Sequence, residues 1–151
     1  MLPIAAVIAR AELDVAGDFA IGHYTHEKNP VTARAALTTL DIIDDDGLAE
    51  RAARLGESAM NRLREKLGPC STVGDVRGRG LLFGIEIVAD RDARTPDPDL
   101  AERICYACLA EGVSFKISAG NVLTLSPPLT IAEDDLAHAL DIIESAIRSK
   151  A

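Results

Sequence analysis

The sequence predicts an α+β domain, an antiparallel sheet with helices packed on one side of it. Three observations lead there. The strand candidates fall in two neighbouring pairs, each around a Gly-containing turn, which is the pattern of hairpins. The resulting order, αα-ββ-α-ββ-α, mixes hairpins with helices instead of alternating single strands and helices as parallel sheets require. And 151 residues, 48% hydrophobic and 26% charged, describe one ordinary packed core and too apolar a chain for intrinsic disorder.

Met1 to Ala9 (MLPIAAVIA) is rich in Ala and β-branched residues and reads as a buried strand or a core loop. It is an abrupt start for an ordinary domain. Asp14 to Asn29 follows neither the helical nor the strand period and reads as a long irregular connection, a type of segment that is usually functional. Asn29-Pro30 makes a strong helix start, an N-cap residue ahead of a proline at the first helical position, and the Ala- and Leu-rich run Val31 to Ile43 continues it. Leu48, Ala52, Leu55, Ala59, Leu63 and Leu67 recur at steps of three and four. They predict a second, amphipathic helix stopped by Gly68-Pro69 as C′ glycine and breaker. Asp44-Asp45-Asp46 lies at the junction, where its negative charge suits the start of that second helix.

Val73 to Val76 and Leu81 to Val88 read as strands around Arg77-Gly78-Arg79-Gly80, with Leu81, Phe83, Ile85 and Ile87 on one face. Asp90 to Pro98 is a polar link, after which Leu100, Ile104 and Cys108 mark a third helix closed by Gly112. Val113 to Ile117 and Val122 to Leu125 form the second hairpin around Ser118-Ala119-Gly120-Asn121, and Pro127-Pro128 ends it. Thr130 and Glu133 have capping-box spacing ahead of Leu136, Leu140, Ile143 and Ile147, the stripe of a terminal helix.

Charge and composition narrow the function classes. Sixteen Lys and Arg against twenty-four Asp and Glu give a net charge of −8, which repels polyphosphate, and the 3% aromatic content leaves little to stack on bases. Nucleic acid is therefore not an expected partner. The longest uncharged apolar stretch, Met1 to Ala9, falls well short of the roughly 20 residues that span a bilayer, and no basic residue precedes it as in a signal peptide. Three cysteines, an odd number at low density, point to reduced thiols, and the expectation is a cytoplasmic protein with no membrane contact.

Cys105 and Cys108 form C-x-x-C, but they fall mid-helix on an apolar face, where two small core residues are the simpler reading than a redox pair. With Cys70 and three scattered histidines as the remaining candidates, the second half of a zinc site is missing, so no metal is expected. Arg77 to Gly80 is no Walker A loop and reads as a tight turn that uses glycine's φ freedom. His138 reads as a surface or rim position on the last helix. His23, Tyr24, Thr25 and His26 gather polar side chains just before a capped helix, a layout suited to an anionic ligand, although loops are polar by default.

Taken in order, these segments resemble the C-terminal part of the class III aminotransferases, fold-type I enzymes that use pyridoxal 5′-phosphate. YTHEKNPV at Tyr24 to Val31 resembles the family's Thr-x-x-x-Asn-Pro segment, followed by an Ala-rich helix ending in TLDII. GDVRGRGLLFGIEIV at Gly74 to Val88 resembles its Arg-Gly-x-Gly-Leu hairpin, and NVLTLSPPLTIAEDDL at Asn121 to Leu136 its Pro-Pro-Leu segment. LPIAAVIA at Leu2 to Ala9 resembles the stretch after the family's cofactor lysine, which accounts for the abrupt start.

The resemblance implies a C-terminal fragment of an enzyme that moves an amino group between an amine or amino acid and an oxo acid. Residues 1–30 would be a remnant of the large cofactor-binding domain and connecting loop, and 31–151 a helix leading into the small α+β domain. It implies pyridoxal phosphate and a homodimer for the full-length parent. The Schiff-base lysine would lie upstream of Met1, since Lys28, Lys66, Lys116 and Lys150 do not match it. This stretch then carries no catalytic residue and is expected to be inactive alone. Thr25 matches the threonine that reaches the cofactor phosphate of the neighbouring subunit. Thr124 stands where many members acting on α-amino acids carry a carboxylate-binding Arg. Thr offers one neutral hydrogen bond in place of a charge-assisted fork, which turns the expectation towards other substrates or towards an aminophosphonate lyase-type reaction. The rival reading is a non-catalytic, stand-alone domain that associates with a full-length paralogue through exposed apolar surface.

Overall fold

The computed structural model describes residues 4–13, 15, 17 and 29–150. The chain divides into two units, Met1–Asp46 and Gly47–Ala151.

In the first unit residues 4–9 of the apolar N-terminal stretch are neither strand nor core. Residues 4–10 form no regular element, Val7 and Ile8 are almost fully exposed, and Ala11–Leu13 is a single 3-10 turn. Helix α1 (Pro30–Asp45) starts as its sequence dictates: the Asn29 side chain accepts a hydrogen bond from the Val31 N–H at 2.9 Å, and Pro30 opens the first turn. None of its residues is buried. Asp44 and Asp45 form the last turn of α1 and Asp46 its C-cap, so the acidic run closes this helix and does not cap the next.

The second unit begins with α2 (Leu48–Leu67), which starts from Gly47 without a side-chain cap. Its buried residues, Leu48, Ala52, Gly56, Ala59, Met60, Leu63 and Leu67, form the stripe that the helical period demands. Gly68 remains right-handed, at φ −53°, so the stop is made by Pro69, which has no N–H to continue the ladder. Strands β1 (Val73–Arg79) and β2 (Leu82–Asp90) pair antiparallel. The turn between them is Gly80-Leu81, and Gly80 alone of the Arg-Gly-Arg-Gly run has a positive φ, +54°. Arg77 and Arg79 are thus strand residues, contrary to the expected four-residue turn. Alternation carries the strand further than the apolar residues reveal.

Helix α2 crosses the hairpin at Gly56, where its backbone has no room for a side chain. A Cβ on Gly56 would lie 1.9 Å from the Gly80 carbonyl oxygen. Beyond β2, the polar link contains a two-residue strand, β3 (Thr95–Pro96), too short to show a period. Helix α3 (Pro98–Ala110) follows, its Leu100 N–H capped by the Asp97 carboxylate at 2.9 Å. Strands β4 (Lys116–Ser118) and β5 (Val122–Leu125) make the second hairpin, and α4 (Glu133–Lys150) ends the fold. The first main-chain bond of α4 runs from the Leu136 N–H to the Ala132 carbonyl, which puts Ala132 and not Thr130 at the cap. The expected capping box therefore does not form.

The sheet runs β1-β2-β5-β4, antiparallel throughout, with β3 on the side of β2. Strand alternation sends Val76, Phe83, Ile85, Ile87, Leu123 and Leu125 to one face, where they form a single core with α2, α3 and α4. Burying each large aliphatic side chain there stabilises the fold by about 1.5–3 kcal/mol. This is the α+β layer that the sequence predicts, with helices on one side. Arg62 fastens α2 to α4 by donating to Glu144 at 2.7 Å and to Asp141. Buried Asn121 extends the pairing of β2 with β5: its carbonyl accepts from the Ile87 N–H, and its side-chain amide donates to the Ile87 carbonyl, both at 2.8 Å.

Candidate functional site

The face of the sheet away from the helices carries charged and polar side chains around a buried Val122. Register places Arg77, Gly84, Thr124 and Lys116 in one row across the four strands, and Asp75, Glu86, Val122 and Ser118 in the next. Adjacent members of a row are about 5 Å apart in Cα. Gly84 leaves the middle of the first row without a side chain, and the Val122 side chain leans into that space, 3.1 Å from where a Cβ would stand.

The charges on this face are arranged by the pairing. Arg77 Nη1 donates to Asp75 Oδ2 on its own strand and to Glu86 Oε2 on β2, each at 3.0 Å. The hydrogen bond to Asp75, then that to Glu86, raises the guanidinium pKa above its ordinary value, against the opposing effect of burial. Thr124 is half-buried, and its hydroxyl donates to Ser118 Oγ across the hairpin at 2.9 Å. Lys116, its Cα partner on β4, is exposed, and among the described residues it has no carboxylate partner.

Thr124 is therefore placed on an open polar surface, whereas Thr25, with His23, Tyr24, His26 and Lys28, lies outside the described residues. Lys66 is exposed on α2. Cys105 and Cys108 are mid-helix in α3; Cys108 is fully buried, and desolvation, with the nearby Cys105 second, pushes its thiol up to about 11. Such a thiol is a core residue and the opposite of an activated nucleophile. Among the described residues no three His, Cys, Asp or Glu side chains gather as metal ligands, and no helix is long and apolar enough to cross a membrane. His138 is exposed on α4 at the edge of a cleft of about 440 Å³, floored by Phe83, Leu125 and Ile143 and walled by Phe115 and Pro127.

Sequence reading missed the Arg77 clamp because it assigned that residue to a turn. The available signal was Asp75 and Arg77 two apart with Glu86 across a hairpin, the spacing that puts all three on one face. Lys116 and Ser118 were likewise invisible as neighbours of Thr124 until the register was known.

This small antiparallel sheet with its three covering helices belongs to the class III aminotransferases: the family's model, described as aminotransferase class-III, matches residues 2–147. Among curated relatives, the (R)-1-hydroxy-2-aminoethylphosphonate ammonia-lyase of Vibrio splendidus (strain 12B01) is 42% identical over 97% of this chain and 31% of its own length. The 4-aminobutyrate aminotransferase of Mycobacterium leprae (strain TN) is 40% identical over 94% of this chain and 32% of its own. Racemases are also among the relatives. Of solved structures, a PLP-bound amine transaminase from an uncultivated Pseudomonas species superimposes with a TM-score of 0.80 at 31% identity, covering 89% of this chain and 31% of that one. The chain thus spans about a third of the length of the relatives it matches.

Proposed function

We propose that this chain is the C-terminal portion of a pyridoxal-phosphate enzyme that transfers an amino group between an amine or amino acid and an oxo acid. The family match over residues 2–147 is the observation that carries this reading. In it, residues 1–30 belong to the large cofactor-binding domain and its connecting loop, and 31–151 are a helix leading into the small domain. Free thiols at Cys70, Cys105 and Cys108 support a cytoplasmic home, and the complete enzyme acts as a homodimer.

The described residues do not make a cofactor site by themselves. Lys66 and Lys116 are exposed, and the one buried side-chain oxygen without a partner among the described residues, Thr72 Oγ1, is a lone hydroxyl and no phosphate cradle. In this reading the described residues take no catalytic step, and the chain is inactive alone. Its contributions are two. Thr25, ahead of the capped start of α1, donates to the cofactor phosphate across the dimer. Thr124, on the open sheet face, meets the substrate without a guanidinium fork of its own to grip an α-carboxylate.

That neutral position, together with the 42% identity to an ammonia-lyase, supports a second reading, elimination of ammonia from an aminophosphonate. One assay on the complete, cofactor-loaded enzyme separates the two. Amino transfer consumes amine only when an oxo acid is present, whereas elimination releases ammonia without one. Inactivity under both conditions overturns both readings.

A further inference from the structure

Resting on the reading of Thr124 as a substrate-facing residue, we propose that Lys116 and Ser118 form an anion subsite beside it. Its ligand is a tetrahedral oxyanion, a phosphonate carried on the amine substrate.

The register supplies the argument. Lys116 and Ser118 are alternate residues of β4, so both lie on the face that bears Thr124, one as its direct partner and the other hydrogen-bonded to it. The bond between Thr124 and Ser118 uses one of their two hydroxyl protons and leaves the other with no acceptor among the described residues. The Lys116 ammonium adds three rotatable donors and a full charge. The carboxylates that share this face are already engaged: Asp75 and Glu86 are held by Arg77 on the far side of β5. The free charge at the β4 end of the face is therefore positive. A compact ammonium beside a hydroxyl makes no planar fork, the arrangement that matches a carboxylate. It suits an anion whose oxygens point in several directions, each taking a separate donor.

The test begins with binding to the 151-residue chain, isotopically labelled and titrated with methylphosphonate. Amide resonances of Lys116, Ser118 and Thr124 should move together, and Lys116→Ala and Lys116→Gln should each weaken the response about tenfold or more. Lys116→Arg should restore most of it. Arg103→Ala, which removes an exposed cation from α3, should leave it as it was. No movement at β4, or movement that survives Lys116→Ala and Lys116→Gln, overturns the subsite. In the complete, cofactor-loaded enzyme, methylphosphonate should inhibit competitively against the amine. A subsite that served the cofactor phosphate instead would already be filled, and inhibition would be absent. Binding that depends on Lys116 in an enzyme that turns over no amine would overturn the functional reading and leave the subsite standing. Turnover without Lys116-dependent binding would do the reverse.

Discussion

Gly56→Ala separates close packing from helix propensity by the sign of its effect. In an isolated helix, replacing glycine by alanine stabilises by about 0.8–1 kcal/mol. Here the new Cβ would meet the Gly80 carbonyl oxygen at 1.9 Å and its carbonyl carbon at 2.2 Å. Both atoms belong to the main chain of a two-residue turn, so no side chain can rotate away. The crossing of α2 over the hairpin has to open by roughly 1 Å, which lifts Ala52, Ala59 and Met60 from the core they share with Val76 and Leu81. Forced expansion of this kind costs about 1–3 kcal/mol, and an overlap with unyielding main chain puts it in the upper part of that range, about 2–3 kcal/mol, leaving the variant less stable by about 1–2 kcal/mol after the propensity gain. At the size of the second unit that is a fall in Tm of about 4–10 °C. Urea and thermal unfolding followed by circular dichroism measure it directly, with Ser58→Ala, at an exposed position of the same helix, as the propensity control. A Gly56→Ala protein that unfolds later than the parent would refute the close-approach argument.

Arg62→Ala should cost about 2 kcal/mol in chemical unfolding, because it strands the nearly buried Glu144 carboxylate without its 2.7 Å partner, and Glu144→Gln should cost less. The Cys108 thiol has a folded pKa pushed up to about 11, above its unfolded value. The stability it contributes is complete below the unfolded pKa and is lost as pH rises towards 11, which should appear as an alkaline decline in Tm that Cys108→Ala flattens. At neutral pH a thiol reagent should label Cys70 and Cys105, which are partly exposed, well before Cys108. In the complete enzyme, Thr124→Arg should raise kcat/KM for α-amino acids relative to amines without a carboxylate; an unchanged ratio argues against substrate contact at this position.

The fold was legible because its signals are local and repeated. Leu48 to Leu67 shows a three-four period for five turns, and Leu81 to Ile87 alternates without a break, so both elements and their inward faces follow from side-chain spacing. Where the sequence misled, a single strong token outweighed geometry. The glycines of Arg77 to Gly80 suggested a turn over residues that are mostly strand, and Thr130 with Glu133 suggested a cap that Ala132 takes instead. The apolar Met1 to Ala9 stretch looked like core, yet its Val7 and Ile8 are almost fully exposed. The candidate site was less legible for a different reason. That Thr124 lies beside Lys116 and Ser118 is a matter of register between strands, and no pattern within either strand contains it.

Asn121 bears on which side of the sheet that threonine ends up. Its side-chain amide imitates one more peptide group, so β5 is held to β2 by a rung that only this alignment can complete. Sliding β5 by one position would forfeit both bonds to Ile87. It would also turn the strand inside out, placing Thr124 beneath the helices and exposing Leu123 and Leu125 to water. A single amide thus acts as an indexing pin, and the side of the layer that stays open to small molecules is decided several residues away from any group that would touch one.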